Sequence, residues 1–115
     1  MSGRIESFNE YRVKMNERIT GEENLSINRF FSLDSQTYRE GALSTKTKEL
    51  LGLATSMVLR CDDCIMYHII QCADAGVTDE EFFETFNVSL VVGGSIVIPH
   101  MRRAVEVLDE IRASK

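Results

Sequence analysis

Two cysteines stand three residues apart in Arg60-Cys61-Asp62-Asp63-Cys64-Ile65-Met66-Tyr67-His68, and a histidine follows the second by four. In a helix those offsets place Cys61, Cys64 and His68 on one face. A thiol acts as thiolate, and it needs a neighbouring acid or base to become a nucleophile or to release its product. Three chemistries fit the pattern. Zinc could take the two thiolates and the imidazole, with Cys72 or His100 as a fourth ligand. On a continuous helix, however, Cys61 and His68 lie about 10 Å apart along the axis. Ligands must approach one ion to about 2.0–2.3 Å, so they would converge only on a broken helix. No second C-x-x-C pair is present.

A redox pair is the second reading. A CxxC at a helix start puts two sulfurs close enough for a short disulfide, and the helix dipole favours thiolate there. His68, one turn beyond Cys64, can exchange a proton with its thiol directly or through water. Asp62 and Asp63 oppose activation, because nearby negative charge disfavours a thiolate. A base such as His68, backed by a carboxylate, then becomes necessary. The third reading is structural: small buried thiols and a satisfied core histidine. It is the preferred account of Cys72.

The elements that must position these groups are helical, since alternating runs are scarce and Pro99 is the single proline. The apolar spacing of Phe8, Tyr11, Met15 and Ile19 predicts a surface helix over about Ile5 to Ile19, ended by Thr20-Gly21. A second helix is expected from about Asn24 to Glu40, with Gly41 as its C-cap. Ser44 should cap a third over Thr45 to about Leu59, whose apolar face is Leu50, Leu53, Ala54, Met57 and Val58. Glu49 sits at the edge of that face, where surface solvation is its simplest role. The cysteine helix should start near Asp62, capped by Asp62 or Asp63, and end at Gly76 in a largely buried position. Thr78 to Glu81 spells a capping box for the fifth helix. Gly93-Gly94-Ser95 breaks that helix, and Pro99 suits the first turn of a sixth with Met101, Ala104, Val105, Leu108 and Ile111 as its stripe. The expected fold class is all-α, a compact bundle of about six helices forming one domain over residues 1–115.

Bulk properties narrow the functions. With 43% hydrophobic and 27% charged residues, a packed core and ordinary solubility are expected. A net charge of −5 offers no basic footprint for nucleic acid or anionic lipid. Met1 to Asn16 does not read as a secretory signal, and three cysteines make a poor disulfide framework, so a cytoplasmic location is expected. The apolar run Val88 to Ile98 is too short for a membrane span and exceeds what one small bundle hides, which predicts a subunit interface.

The pattern resembles the carboxymuconolactone decarboxylase-like superfamily, in its alkylhydroperoxidase D-like branch. The shared signature is a glutamate, eleven residues, then C-x-x-C-x-x-x-H, here Glu49, Cys61, Cys64 and His68. Lys46 and Lys48 before it and the Ala75 to Glu81 link after it agree, and the likeness covers about Leu43 to Leu108. The resemblance implies an all-α fold whose active face comes from two neighbouring helices, in trimers or hexamers. It implies that Cys64 attacks a hydroperoxide, that Cys61 donates a proton and resolves the sulfenic acid, and that Glu49 and His68 relay protons. The Glu49 carboxylate thereby gains a functional reading. A lipoyl or thioredoxin-like dithiol protein would restore the thiols, and no resident cofactor or metal is implied. Family members with peroxidase activity often carry a histidine between the cysteines, where this chain has Asp62 and Asp63. The expected function is thiol-dependent reduction of hydroperoxides. The alternatives are a lyase acting on a small lactone or keto acid through His68 or His100, and a non-catalytic oligomeric redox sensor.

Overall fold

A computed structural model describes Gly3 to Ser114. Six α-helices succeed one another: α1 (Gly3–Thr20), α2 (Leu25–Thr37), α3 (Thr45–Leu59), α4 (Asp62–Asp74), α5 (Asp79–Gly93) and α6 (Ile98–Ala113), with a 3-10 turn at Ser95–Val97. The fold class is all-α, with no strand among the described residues. The chain divides into two units, one up to Arg39 and one from Glu40 onward.

In the first unit α1 packs on α2. The Asn24 side chain caps α2 by accepting from the Ile27 N–H at 3.0 Å. The helix stops at Thr37, with Tyr38 as C-cap, and does not reach Glu40 or use Gly41. The reason is local. Thr37 Oγ1 donates to the Leu33 carbonyl, and the Arg39 N–H turns back to Gln36, tightening the last turn into an i→i−3 pattern. Neither helix buries a residue fully, and Tyr11, Val13, Phe30 and Leu33 are exposed.

The second unit holds the site. Ser44 Oγ accepts from the Thr47 N–H at 3.0 Å, so α3 starts where a serine cap predicts. The end of α3 sets the start of α4. Arg60 takes a left-handed conformation (φ 62°, ψ 43°), its N–H bonds to Met57 O, and the Cys61 N–H bonds to Ser56 O. That pairing is a Schellman ending in which an arginine stands where glycine is usual. It leaves Cys61 extended at the N-cap of α4. The cap of α4 is therefore Cys61, one residue earlier than the expected Asp62 or Asp63; the aspartates occupy the first turn, facing the positive end of the helix dipole.

The capping box of α5 forms as expected, with Thr78 and Glu81 exchanging backbone-to-side-chain bonds of 2.9 and 3.2 Å. The Thr78 N–H and then Lys46, 3.1 Å away, hold the Glu81 carboxyl below the usual carboxylate range.

Helix α3 packs on α4 and α5, and α4 packs on α6. The interior is Leu53, Met57, Ile65, Ile69, Phe82, Phe86, Ala104, Val107 and Leu108. Each large side chain there contributes about 1.5–3 kcal/mol by leaving water. Val107, not Val105, belongs to the buried stripe of α6, because the helix rotates so that Ala104, Val107 and Leu108 face α4. Arg112 fastens the far end of α6 through Asp79 (2.8 Å) and the Val77 carbonyl (2.9 Å). Within the run Val88 to Ile98, Val97 is buried, while Val88, Val91, Val92 and Ile96 lie open. Among the described residues no helix is long and apolar enough to cross a membrane.

Candidate active site

Cys61 and Cys64 meet at the start of α4. Their sulfurs are 2.7 Å apart and unbonded, against about 2.05 Å in a disulfide. Cys61 does not lie on the helix as the spacing alone suggested. As N-cap it accepts the Cys64 N–H on its sulfur at 3.4 Å, which turns the side chain towards Cys64. Cys64, in the first turn, is exposed, while Cys61 is half-buried. The outer sulfur can therefore meet a solute, and the inner one stands ready to bond to it.

Behind them lies a buried acid–imidazole pair. Glu49 on α3 is 4% exposed and His68 on α4 is 8% exposed. Glu49 Oε1 and His68 Nδ1 are 2.8 Å apart. Opposite an ionised Glu49, Nδ1 donates this hydrogen bond, and proton exchange at the imidazole falls to Nε2. The Glu49 side chain points inward to α4, because its place on α3 faces the α3–α4 seam. His68 lies one turn beyond Cys64, where helix geometry separates the two Cβ atoms by about 5–6 Å.

Gly52 makes room for the imidazole. A Cβ on Gly52 would stand 2.6 Å from His68 Cε1, 2.8 Å from Nε2 and 2.9 Å from Nδ1. The site motif does not include this residue, and the one local sign of it is a lone glycine inside a helical pattern, where alanine would be better by about 1 kcal/mol. The Tyr67 ring meets the same imidazole in a T-shaped arrangement, with centroids 5.2 Å apart.

Cys72 lies wholly in the core. Burial, and then the negative charge of Glu49, push its thiol up to about 12. It stays protonated in the neutral range, and its inaccessibility bars reagents as well. Iodoacetamide at pH 8 is accordingly expected to label peptides containing Cys61 and Cys64 in the native protein. Cys72 should take label only after denaturation, as mass spectrometry would show; native labelling of Cys72 would contradict its placement.

His100 is drawn to this region too. Its Nδ1 lies 2.7 Å from Asp62 Oδ1, and Arg103 Nη1 donates to Asp62 Oδ2 at 3.2 Å. No local sequence signal announces a contact across about forty residues. Among the described residues no three His, Cys, Asp or Glu side chains are grouped to hold a metal ion.

This architecture has known counterparts. The Thermotoga maritima protein TM1620 is 55% identical with a TM-score of 0.91, over 94% of this chain and 95% of that one. A second crystal structure of it, also 55% identical and with a TM-score of 0.89, covers 93% of this chain and 91% of that one. There it is described as a carboxymuconolactone decarboxylase family protein possibly involved in antioxidative response. The apo form of lpg0406 from Legionella pneumophila, of the same family, is 25% identical with a TM-score of 0.84, over 93% of this chain and 96% of that one. An uncharacterized protein of the cox locus in Paracoccus denitrificans is 32% identical over 82 residues, 71% of this chain and 74% of that protein. The model of the carboxymuconolactone decarboxylase family matches residues 27–108, and with that span and these relatives the chain belongs to the carboxymuconolactone decarboxylase family.

Proposed function

We propose that the protein is a thiol-dependent peroxidase or disulfide oxidoreductase of the alkylhydroperoxidase D type. The observation that carries this reading is the thiol pair, with sulfurs 2.7 Å apart at a helix N-terminus, backed by the buried Glu49–His68 pair. The Cys64 thiolate attacks the terminal oxygen of a hydroperoxide; an S–O bond forms, the O–O bond breaks, and the alkoxide leaves as alcohol after taking a proton. His68 Nε2 takes the Cys64 proton beforehand and returns it to the leaving oxygen, while Glu49 steadies the imidazolium. Cys61 then attacks the sulfenic sulfur, an S–S bond forms, and water leaves with the Cys61 proton. A dithiol, carried by a lipoyl or thioredoxin-like protein, reduces the disulfide by two exchanges and is itself oxidised.

The exposed Val88, Val91, Val92 and Ile96 support a homo-oligomer, a trimer or hexamer in the proposed form. Between α3 and α5 a groove of about 250 Å³, lined by Ala54, Thr55, Val58, Val88, Ser89 and Val92, continues that apolar face. The net charge of −5 gives no support to nucleic acid as a partner.

The test measures hydroperoxide loss with dihydrolipoamide as reductant. One alcohol is expected per dithiol oxidised, and prior alkylation of Cys61 and Cys64 should stop the reaction. Undiminished activity after alkylation, on a lactone or keto acid, would favour the lyase instead. Reversible formation of the Cys61–Cys64 disulfide without peroxide turnover would favour a redox sensor.

A further inference from the structure

Asp62 stands between the two cysteines, where a negative charge opposes a thiolate, and Asp63 beside it adds a second. A working nucleophile at Cys64 therefore needs that charge offset. Helix α6 supplies the offset. His100 Nδ1 meets one oxygen of the Asp62 carboxylate at 2.7 Å, and Arg103 Nη1 meets the other at 3.2 Å. His100 and Arg103 are three apart and so share one face of α6, while Asp62 opens α4. The two contacts thus tie the helix start that carries the thiols to a helix packed against it.

We propose that His100 and Arg103 are positioning residues for the thiol pair: they hold the Asp62 carboxylate on α6, where the Arg103 charge offsets its own, and so set how readily Cys64 becomes a nucleophile. The proposal rests on the thiol pair being the working centre. The ionisable groups around that centre come from four segments: Arg60 in the turn before it, Asp62 and Asp63 on the first turn of α4, Glu49 and His68 behind it, and His100 and Arg103 from α6. Of the two α6 groups that meet Asp62, Arg103 is the permanent cation, because a guanidinium keeps its charge at any working pH. The side chains of Asp62 and Arg103 are 46% and 58% exposed, so water screens the pair. The expected effects are therefore severalfold rather than orders of magnitude.

The sign of those effects distinguishes charge from mere bracing. Reduced protein is treated with iodoacetamide across pH, and adducts on Cys64 are counted by mass spectrometry for wild type, Asp62→Asn, Arg103→Met and Arg103→Lys. Asp62→Asn removes the opposing charge and should speed alkylation at pH 7 by about threefold, moving the profile to lower pH. Arg103→Met strips the offset and should slow it by about threefold, moving the profile to higher pH. Arg103→Lys restores the charge and should return the profile close to wild type. Both Asp62→Asn and Arg103→Met break the same contact, so simple loosening of α4 would move them in the same direction. Shifts of one sign, or none in either variant with melting temperatures showing both folded, would overturn the proposal. Opposite shifts in a protein that turns over no peroxide would uphold the α6 contact and sink the peroxidase reading.

Discussion

Cys64→Ser is expected to remove peroxide turnover altogether, by about 10³-fold or more, since loss of the nucleophile removes the bond-forming atom itself. The serine hydroxyl is far too weak an acid to present its oxygen as an anion, even beside His68. Helix α4 should survive the change, because its cap is the Cys61 sulfur, which accepts the backbone N–H of position 64 whatever side chain stands there. Circular dichroism should therefore match wild type while the activity disappears. Cys61→Ser gives a different result. Cys64 can still attack, so one alcohol should form per chain in a single burst, leaving a sulfenic acid that dimedone traps. Without an added thiol repeated turnover should cease, because the chain then offers no second sulfur at the site to expel water. If Cys64→Ser turned over at the wild-type rate, the assignment of Cys64 as attacking atom would be wrong. If the two variants behaved alike, the division of roles between outer and inner sulfur would fail.

That division was only partly legible in the residues. The CxxC spacing announced the thiol pair, and the signals at Ser44, Thr78 and Pro99 located three helix starts for local reasons: the two hydroxyls accept free backbone N–H groups, and proline lacks an N–H where none is needed. The start of α4 was hidden for the opposite reason. Its cap is set by how α3 ends, through a left-handed Arg60 that glycine would have made visible and arginine concealed. Glu49 was ambiguous, since a carboxylate at the edge of an apolar face is usually solvated; the α3–α4 packing that buries it is a tertiary fact. The partners of Asp62 lie about forty residues away on α6, beyond any periodicity. Charge in the sequence therefore argued against an activated thiol more strongly than charge in the folded chain does.

Gly52→Ala is the second large effect, and it tests the imidazole without replacing it. Alanine suits the middle of a helix better than glycine, by about 1 kcal/mol, so α3 alone would gain. The new methyl, however, would stand 2.6–2.9 Å from three atoms of the His68 ring. Those atoms belong to a rigid ring tethered to Glu49 at 2.8 Å, so no flexible end can swing aside. Ordinary contact requires the ring to retreat by about 1 Å, and such overpacking typically costs about 1–3 kcal/mol. The net change in stability should be small, about 0–2 kcal/mol of loss, visible as a fall of a few degrees in melting temperature. Activity should suffer far more, because a displacement of about 1 Å in a catalytic group can cost about 10²-fold. Formation of the Cys61–Cys64 disulfide by an added oxidant should persist, since neither sulfur is moved directly. A glycine serving only to let α3 approach α4 predicts the reverse: lower stability with undiminished turnover per folded molecule. Measuring peroxide turnover beside the melting temperature separates the two, and full activity in Gly52→Ala would mean that the position of His68 does not limit the reaction.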